Sequence, residues 1–235
     1  RNRRSAINLF KKNIVYIYMV LSEIIVEYND VFYPQQNNSS VIKALLNDRI
    51  WEKKITNLFN HYIQEDWVVV DAGAYIGLHT LTLSKLAKEV ISFEPQPLVY
   101  QCLKNTLEKQ NIDNVKLYHL ALSNKKSDTH IHTNNDGDAS IEGIRDAKFN
   151  MKFPCITNKL DNIINKKIHL IKIDVEGHEW ELIDGATKTI IKHRPIIILE
   201  TFKRNNNIKR IKQFILSFNY SASYISADNY LLLPN

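Results

Sequence analysis

From residue 66 onward the chain alternates short apolar segments with helical apolar periods, and that alternation admits few folds. Val68-Val69-Val70 leads into the turn Asp71-Ala72-Gly73-Ala74-Tyr75-Ile76-Gly77, and Leu78, Leu81, Leu83, Leu86 and Ala87 follow as an approximate helical stripe. Residues 90–93 form the second predicted strand, and Leu98, Cys102, Leu103 and Leu107 mark a second helix. Residues 115–122 read as a third strand, 168–173 as a fourth and 195–199 as a fifth. Trp180, Ile183, Thr187, Ile190 and Ile191 lie on one helix between the last two. Strands apolar on both faces, Ile196-Ile197-Ile198-Leu199 above all, belong to a parallel sheet covered on both sides. The expected fold is α/β with a mostly parallel, doubly wound sheet. A helix through Ile208, Ile211, Ile215 and Phe218 precedes strand-like runs at 220–226 and 230–233, which predict a C-terminal antiparallel hairpin closing the sheet edge.

Two stretches depart from the alternation. Residues 1–60 are expected to form a separate N-terminal strand and helix cap, with a strand in the apolar run 14–21 and a helix over 41–59. Residues 61–235 then make the main domain. Between the third and fourth strands, short strands at 129–132 and 153–157 flank a polar loop at 133–140.

Composition removes several classes. Gly and Pro number six each, too few for a β-sandwich that turns every ten residues or so. Two cysteines, Cys102 and Cys155, make neither a disulfide framework nor a zinc finger, so a reducing, cytoplasmic setting is expected. The run 14–21 falls short of a membrane span, and Glu23 and Glu27 interrupt it. The net charge of +6 invites a nucleic-acid reading, but much of it sits in Arg1-Asn2-Arg3-Arg4, Lys11-Lys12 and the stretch from Lys203 to Lys212. Such runs are more often solvated tails or helix faces.

The turn at 71–77 carries the first chemical signal. Gly73 permits a tight turn at the strand end, and Gly77 permits close approach of the following helix. The spacing is G-x-x-x-G, not the G-x-G-x-x-G of pyrophosphate cradles. Asp71 at the turn's start repels phosphate and attracts an ammonium group. Glu94 closes the second strand, where a carboxylate accepts both hydroxyls of a ribose. Together these point to a nucleoside-bearing cofactor; an acid that merely caps the turn is the plain alternative.

The second signal is Lys172-Ile173-Asp174-Val175-Glu176-Gly177-His178-Glu179 at the end of the fourth strand. Ligands of open α/β sheets bind at the carboxyl ends of the strands, where strand order reverses. Asp71 and Asp174 are therefore expected to face one pocket, with Glu176 and His178 on its rim. Clustered carboxylates raise one another's pKa and hold a proton acceptor near working pH. Asp174 as a helix cap stays open as the simpler role, and so does Asp174-Glu176-His178 as a Mg2+ or Mn2+ ligand set, although no divalent metal is expected to be required. The sequence lacks a G-x-S-x-G elbow and a P-loop.

In order, Asp71-Ala-Gly-Ala-x-x-Gly77, Ser92-Phe-Glu-Pro95, Ala121-Leu-Ser123, Thr157-x-x-Leu160-Asp161, Lys172-Ile-Asp-Val-Glu-Gly-x-Glu179, Gly185-Ala186 and Glu200 resemble the FkbM family of S-adenosylmethionine-dependent methyltransferases over roughly residues 50 to 202. The resemblance implies a Rossmann-like class I methyltransferase fold. It also implies O-methylation of a hydroxyl, most often on a sugar or glycosylated product. Residue by residue, it puts Asp71, Gly73 and Gly77 at the methionine end of the cofactor, Glu94 at the ribose and the segment Ala121–Ser123 near the adenine. Trp51-Glu52 resembles a segment ahead of the first motif, so Glu52 is expected to help hold the cofactor's amino end. Tyr75 departs from the Asn common at its position. Asp174 is the first candidate base and His178 the second, with Glu176 orienting sugar or base.

The implied partner is a saccharide or glycoconjugate acceptor, with a fused or associated glycosyltransferase as one open arrangement. The polar loop and the aromatics Tyr28, Phe32, Tyr33 and Trp51 are compatible with sugar binding, although such aromatics are more often core. Two alternatives remain at this stage. One is methylation of RNA or another nucleic acid, which the acids Asp174, Glu176 and Glu179 oppose by repelling phosphates. The other is a catalytically silent cofactor-binding module of a larger glycan-modifying protein.

Overall fold

The computed structural model describes residues 25–35, 39–133, 139–141, 151–201, 207–226 and 228–235. The strand expected over 14–21, the basic runs before residue 13, Lys203-Arg204 and the middle of the polar loop lie outside the described residues.

The centre of the molecule is a seven-stranded sheet in the order β12-β13-β11-β10-β3-β4-β5. Strand β3 (Val68–Ala72) lies between β4 (Glu89–Phe93) and β10 (Leu170–Ile173), and it is parallel to both. Beyond β4 lies β5 (Val115–Tyr118), and beyond β10 lies β11 (Ile196–Glu200), again parallel. The chain thus winds outward from β3 in one direction and returns to continue in the other, which opens a crevice over the carboxyl ends of β3 and β10.

Strands β12 (Tyr220–Ser226) and β13 (Asn229–Pro234) form the expected hairpin. The antiparallel strand β13 is one place in from the edge, between β11 and β12. Its Leu231 and Leu232 are buried, whereas β12 exposes Tyr224 and carries serines, so the more apolar strand takes the inner position.

Both faces of the sheet are covered, as its apolar strands require. On one face Val70, Ile91, Ile171, Ile173, Ile197 and Leu199 pack with helices α6 (Glu179–Gly185), α7 (Thr187–His193) and α8 (Asn207–Phe218). On the other, Val69, Val90, Leu170 and Ile198 meet Leu83 of α3 (Leu78–Leu86) and the buried Ile55 and Phe59 of α2 (Lys53–Tyr62). Helix α4 (Pro97–Lys109) contributes Cys102, Leu103 and Leu107 to a third cluster, which reaches Val31 of an N-terminal hairpin, β1 (Ile25–Tyr28) and β2 (Val31–Pro34). Phe32 and Tyr33 pack against that cluster, and the Phe32 amide donates to Thr106 Oγ1 at 2.9 Å. These two aromatics serve as core.

Three elements differ from the expected ones. The helix over 41–59 is two helices, α1 (Ser40–Leu46) and α2, because Asp48 (φ +50°) and Glu52 (φ +40°) turn the chain through left-handed conformations. The third strand ends at Tyr118, where pairing with β4 runs out; Ala121–Leu122 instead opens a separate four-stranded sheet, β6-β9-β7-β8, as β6. That sheet contains the two short predicted strands, β7 (Ser127–Thr133) and β9 (Met151–Asn158), paired antiparallel, with β8 (Ala139–Ile141) beside β7.

The helix through residues 180–191 breaks at Ala186. Asp161, in the short helix α5 (Leu160–Ile163), accepts from the Lys188 and Thr189 amides at 2.9 and 2.8 Å and so starts α7 afresh. Gly185 passes so near the 123 carbonyl that an added Cβ would stand 1.9 Å from that oxygen.

Candidate active site

The turn after β3 is built by backbone hydrogen bonds. The amides of Gly73 and Ala74 both donate to the Phe93 carbonyl at 3.0 Å, which draws the end of β3 onto β4. Gly73 has φ +82°, and a Cβ there would lie 1.7 Å from the carbonyl oxygen of Asp174. The ends of β3 and β10 are therefore in backbone contact at this glycine. Gly77 (φ +92°) opens α3, and a Cβ on it would meet Leu103 Cδ1 at 2.2 Å, so its bareness serves the packing of α3 on α4. Tyr75 also holds a left-handed φ of +54°, which an L side chain adopts at a cost. Its amide donates to Glu94 Oε2 at 2.8 Å and its hydroxyl shares a 3.1 Å hydrogen bond with Ser39 Oγ.

Glu94 closes β4, 3% exposed. Its second oxygen accepts the Gln96 amide at 2.7 Å. Burial pushes its carboxyl up to about 7 against the pull of the two amides, with Asp71 and Asp174 adding to the rise.

Asp71, fully buried, accepts from Thr80 Oγ1 at 2.6 Å through one oxygen. Its other oxygen, Oδ1, has no hydrogen-bond donor and stands 3.9 Å from Lys172 Nζ. Lys172 is also buried and bonds Asp174 Oδ2 at 3.0 Å. Burial alone would discharge this lysine, but Asp174, Asp71 and Glu52 outweigh it and hold the ammonium charged beyond its ordinary range. Asp174 is 24% exposed and so opens on the crevice. Burial works to raise its carboxyl; Lys172, a hydrogen bond from Glu200 and the nearby His79 reverse the sign and hold it ionised, below its ordinary value. Glu200, at the end of β11, is pushed up to about 9, first by burial and then by Asp174.

Glu52 completes the group from the N-terminal side: Oε2 lies 2.8 Å from His79 Nε2, and Oε1 accepts from Asn229 Nδ2 at 3.3 Å. The crevice floor thus joins Glu52, Asp71 and Asp174, all expected from sequence, with His79, Thr80, Lys172, Glu200 and Asn229, whose roles were not. A lysine inside the apolar run Leu170-Ile171-Lys172-Ile173 was the available signal, since buried lysines are paired.

Other candidates lie elsewhere. His178 is not on a rim: it is 7% exposed, and its Nε2 shares a 2.8 Å hydrogen bond with Ser123 Oγ. Its Nδ1 stands 3.7 Å from Glu181 Oε2. Burial lowers its pKa, with Glu181 pulling back. Glu179 is not a rim acid either. It is buried, accepts the Gly177 amide at 2.6 Å in the first turn of α6, and is pushed up to about 7 by burial. Glu176 (φ +54°) is half-buried in the loop leaving β10. Ala121 is buried in the second sheet. Asp174 caps no helix, because α6 starts from His178. Among the described residues no group of three His, Cys, Asp or Glu is gathered closely enough to hold a metal ion, and no helix is long and apolar enough to cross a membrane.

A doubly wound sheet, an acid-and-glycine turn after its first strand and a buried acid closing the second define the class I methyltransferases, which use S-adenosylmethionine. Residues 71–222 match the Methyltransferase FkbM domain, and the chain belongs to that family. It is 28% identical over 148 residues to the hexuronic acid methyltransferase AglP of Haloferax volcanii, a match covering 59% of this chain and 58% of AglP. Over 60 residues it is 35% identical to a probable ribosomal RNA small subunit methyltransferase A of Methanosphaera stadtmanae, covering 26% of this chain and 22% of that protein. The chain therefore spans well under two thirds of either relative. In fold, the crystal structure of Methyltransferase FkbM from Methylobacillus flagellatus matches with a TM-score of 0.55 at 16% identity, covering 93% of this chain and 58% of that one.

The residues present fit the cofactor. Asp71 Oδ1, buried and without a donor, suits an ammonium, and Glu94 keeps lone pairs for ribose hydroxyls beside the Gly73 turn.

Proposed function

We propose that the chain is an O-methyltransferase that moves the methyl group of S-adenosylmethionine to a hydroxyl, that of a sugar in a glycan or glycoconjugate. One observation carries this function: Asp174 is a carboxylate held ionised by Lys172 at 3.0 Å, part open to the crevice, in backbone contact with the Gly73 turn that would hold the cofactor. When bound, the sulfonium supplies an electrophilic methyl group. Asp71 and Glu52 would hold its amino end, and Glu94 its ribose. Asp174 would accept a hydrogen bond from the acceptor hydroxyl, orient its oxygen and take up its proton. Orientation of this kind supplies several kcal/mol, and a positioned base contributes about 10²–10⁴-fold. The buried Lys172 holds Asp174 in place, and the packed floor excludes water from beneath it.

The saccharide acceptor is supported by the likeness to AglP, whose name records a hexuronic acid as its substrate. Buried carboxyls at the floor disfavour a phosphate-rich acceptor, which keeps RNA as the control.

The test is transfer of labelled methyl from S-adenosylmethionine to a panel of neutral glycosides, glucuronides and ribosomal RNA. Label on a glycoside or glucuronide hydroxyl is expected, and Asp174→Asn is expected to lose about 10²–10⁴-fold in kcat while binding S-adenosylhomocysteine like the parent. Label on RNA alone, or undiminished turnover in Asp174→Asn, overturns the proposal.

A further inference from the structure

We propose that Glu200 is a positioning residue of this site that acts through Asp174: as an uncharged acid it donates its O–H to the Asp174 carboxylate and leaves one fixed oxygen of that carboxylate for the acceptor hydroxyl. This rests on the methyl-transfer function above.

The sheet places the two acids side by side. Strands β10 and β11 are parallel with Ile173 opposite Leu199, so Asp174 and Glu200 are the next positions of the same register, just beyond the paired residues and on the edge that faces the crevice. Asp174 already gives Oδ2 to Lys172. Lys172 cannot follow a moving carboxylate, because it is buried in the strand and lies 3.9 Å from Asp71 as well. A carboxylate held through one oxygen still swings about its Cβ–Cγ bond; a second donor stops the swing. Glu200, one register position past Leu199 and beside Asp174, is placed to supply that donor.

The surrounding charges explain why Glu200 keeps its proton. It is half-buried and faces the carboxylates of Asp174 and Glu52, while among the described residues one ammonium, that of Lys172, serves the whole group. His79 is spent on Glu52 at 2.8 Å. On the other flank β13 sets Asn229 opposite Glu200, and the Asn229 amide donates to Glu52 at 3.3 Å. Three carboxylates around one lysine leave the fourth acid neutral. Glu200 then becomes a donor in a group otherwise made of acceptors, a role that Gln fills and Ala does not.

The experiment uses the full chain, labelled with ¹³C at the Glu and Asp carboxyls and saturated with S-adenosylhomocysteine. In the parent, one Glu carboxyl is expected to titrate at about pH 9; it vanishes in Glu200→Gln and moves toward the ordinary carboxyl range in Asp174→Asn. The Asp174 carbon is expected to shift in Glu200→Ala and to return to the parent position in Glu200→Gln. On whichever acceptor of the panel the parent methylates, Glu200→Ala should lose at least tenfold in kcat with the KM for S-adenosylmethionine unchanged, and Glu200→Gln should recover most of it. Heat of S-adenosylhomocysteine binding confirms that each variant is folded. Absence of an alkaline Glu titration, or an Asp174 signal indifferent to Glu200→Ala, overturns the proposal. The carboxyl signals need no acceptor, so a parent chain that methylates nothing in the panel counts against the proposed function alone.

Discussion

Lys172 sets its ammonium 3.0 Å from Asp174 in the floor of the crevice, the one cation in hydrogen-bond reach of that carboxylate among the described residues. The same ammonium lies 3.9 Å from Asp71, on the side assigned to the cofactor. Replacing it with Met leaves both acids without their cation, and breaking a buried pair from one side costs about 3–5 kcal/mol. Lys172→Met is expected to lose that much in urea unfolding at pH 7. Because the folded-state pKa of Lys172 is raised, its contribution is fully present below about pH 10.4, the ordinary lysine value, and fades as pH climbs through the raised one. An unfolding midpoint within experimental error of the parent would show the pair to be dispensable.

Gly73 and Gly77 both have positive φ, but what a side chain would meet differs. At Gly73 it is the Asp174 carbonyl at 1.7 Å, a backbone atom that cannot move without pulling β10 away from β3. At Gly77 it is the end of the Leu103 side chain. Gly73→Ala is therefore expected to abolish measurable binding of S-adenosylhomocysteine by calorimetry. Gly77→Ala should keep binding and lose about 1–3 kcal/mol of stability, from backbone strain and repacking. Equal effects at the two positions would mean that the β3–β10 backbone contact does not shape the pocket.

Three acids, Glu94 and Glu179 buried and Glu200 half-buried, make stability depend on pH in an unusual direction. Glu94 and Glu179 are pushed up to about 7 and Glu200 to about 9, each chiefly by burial. The folded chain binds more protons than the unfolded one between the ordinary Glu value of about 4.3 and these raised values, so stability falls as pH rises through that window. Asp174, held low, works the opposite way, and its contribution is lost only in more acid solution. Thermal melts are expected to shift downward between pH 6 and pH 9, and Glu200→Gln should flatten the part between pH 7 and 9. A melting temperature that rises steadily over that range would contradict the burial of these carboxyls.

Periodicity exposed the sheet because both its faces are covered, which makes β3, β10 and β11 apolar apart from Asp71, Lys172 and Glu200. What it missed were breaks imposed from a distance. The joint at Ala186 depends on Asp161, an acid on another element that reaches the amides of Lys188 and Thr189, and no local pattern reports such a cap. Likewise residues 119–120 leave the sheet because β4 offers no further partner, a fact of register. In the site, Glu52, Asp71, Glu94 and Asp174 were legible as acids at strand ends or in a family segment. His79 and Asn229 were not, because they enter from α3 and β13 and only the folded chain brings them to Glu52. His178 misled for a plain reason: a histidine next to an acid-rich turn looks exposed, but α6 turns it inward onto Ser123.

That inward turn separates the two candidate bases. The His178 Nε2–Ser123 Oγ bond of 2.8 Å ties the segment after β6 to α6, beside the place where Gly185 crosses the 123 carbonyl. Losing one partner of a buried hydrogen bond costs about 1–3 kcal/mol, so His178→Ala is expected to be destabilised by that amount at pH 7. Burial holds the imidazole below its ordinary pKa, so the folded parent itself loses stability as pH falls below about 6.5. The difference between parent and variant should therefore shrink at pH 5. Turnover at saturating cofactor should fall less than tenfold, with the shape of its pH profile kept, because among the described residues His178 bonds Ser123 and no hydrogen bond joins it to the floor around Asp174. A His178→Ala chain that folds and binds S-adenosylhomocysteine, yet loses turnover as completely as Asp174→Asn, would move the base to position 178.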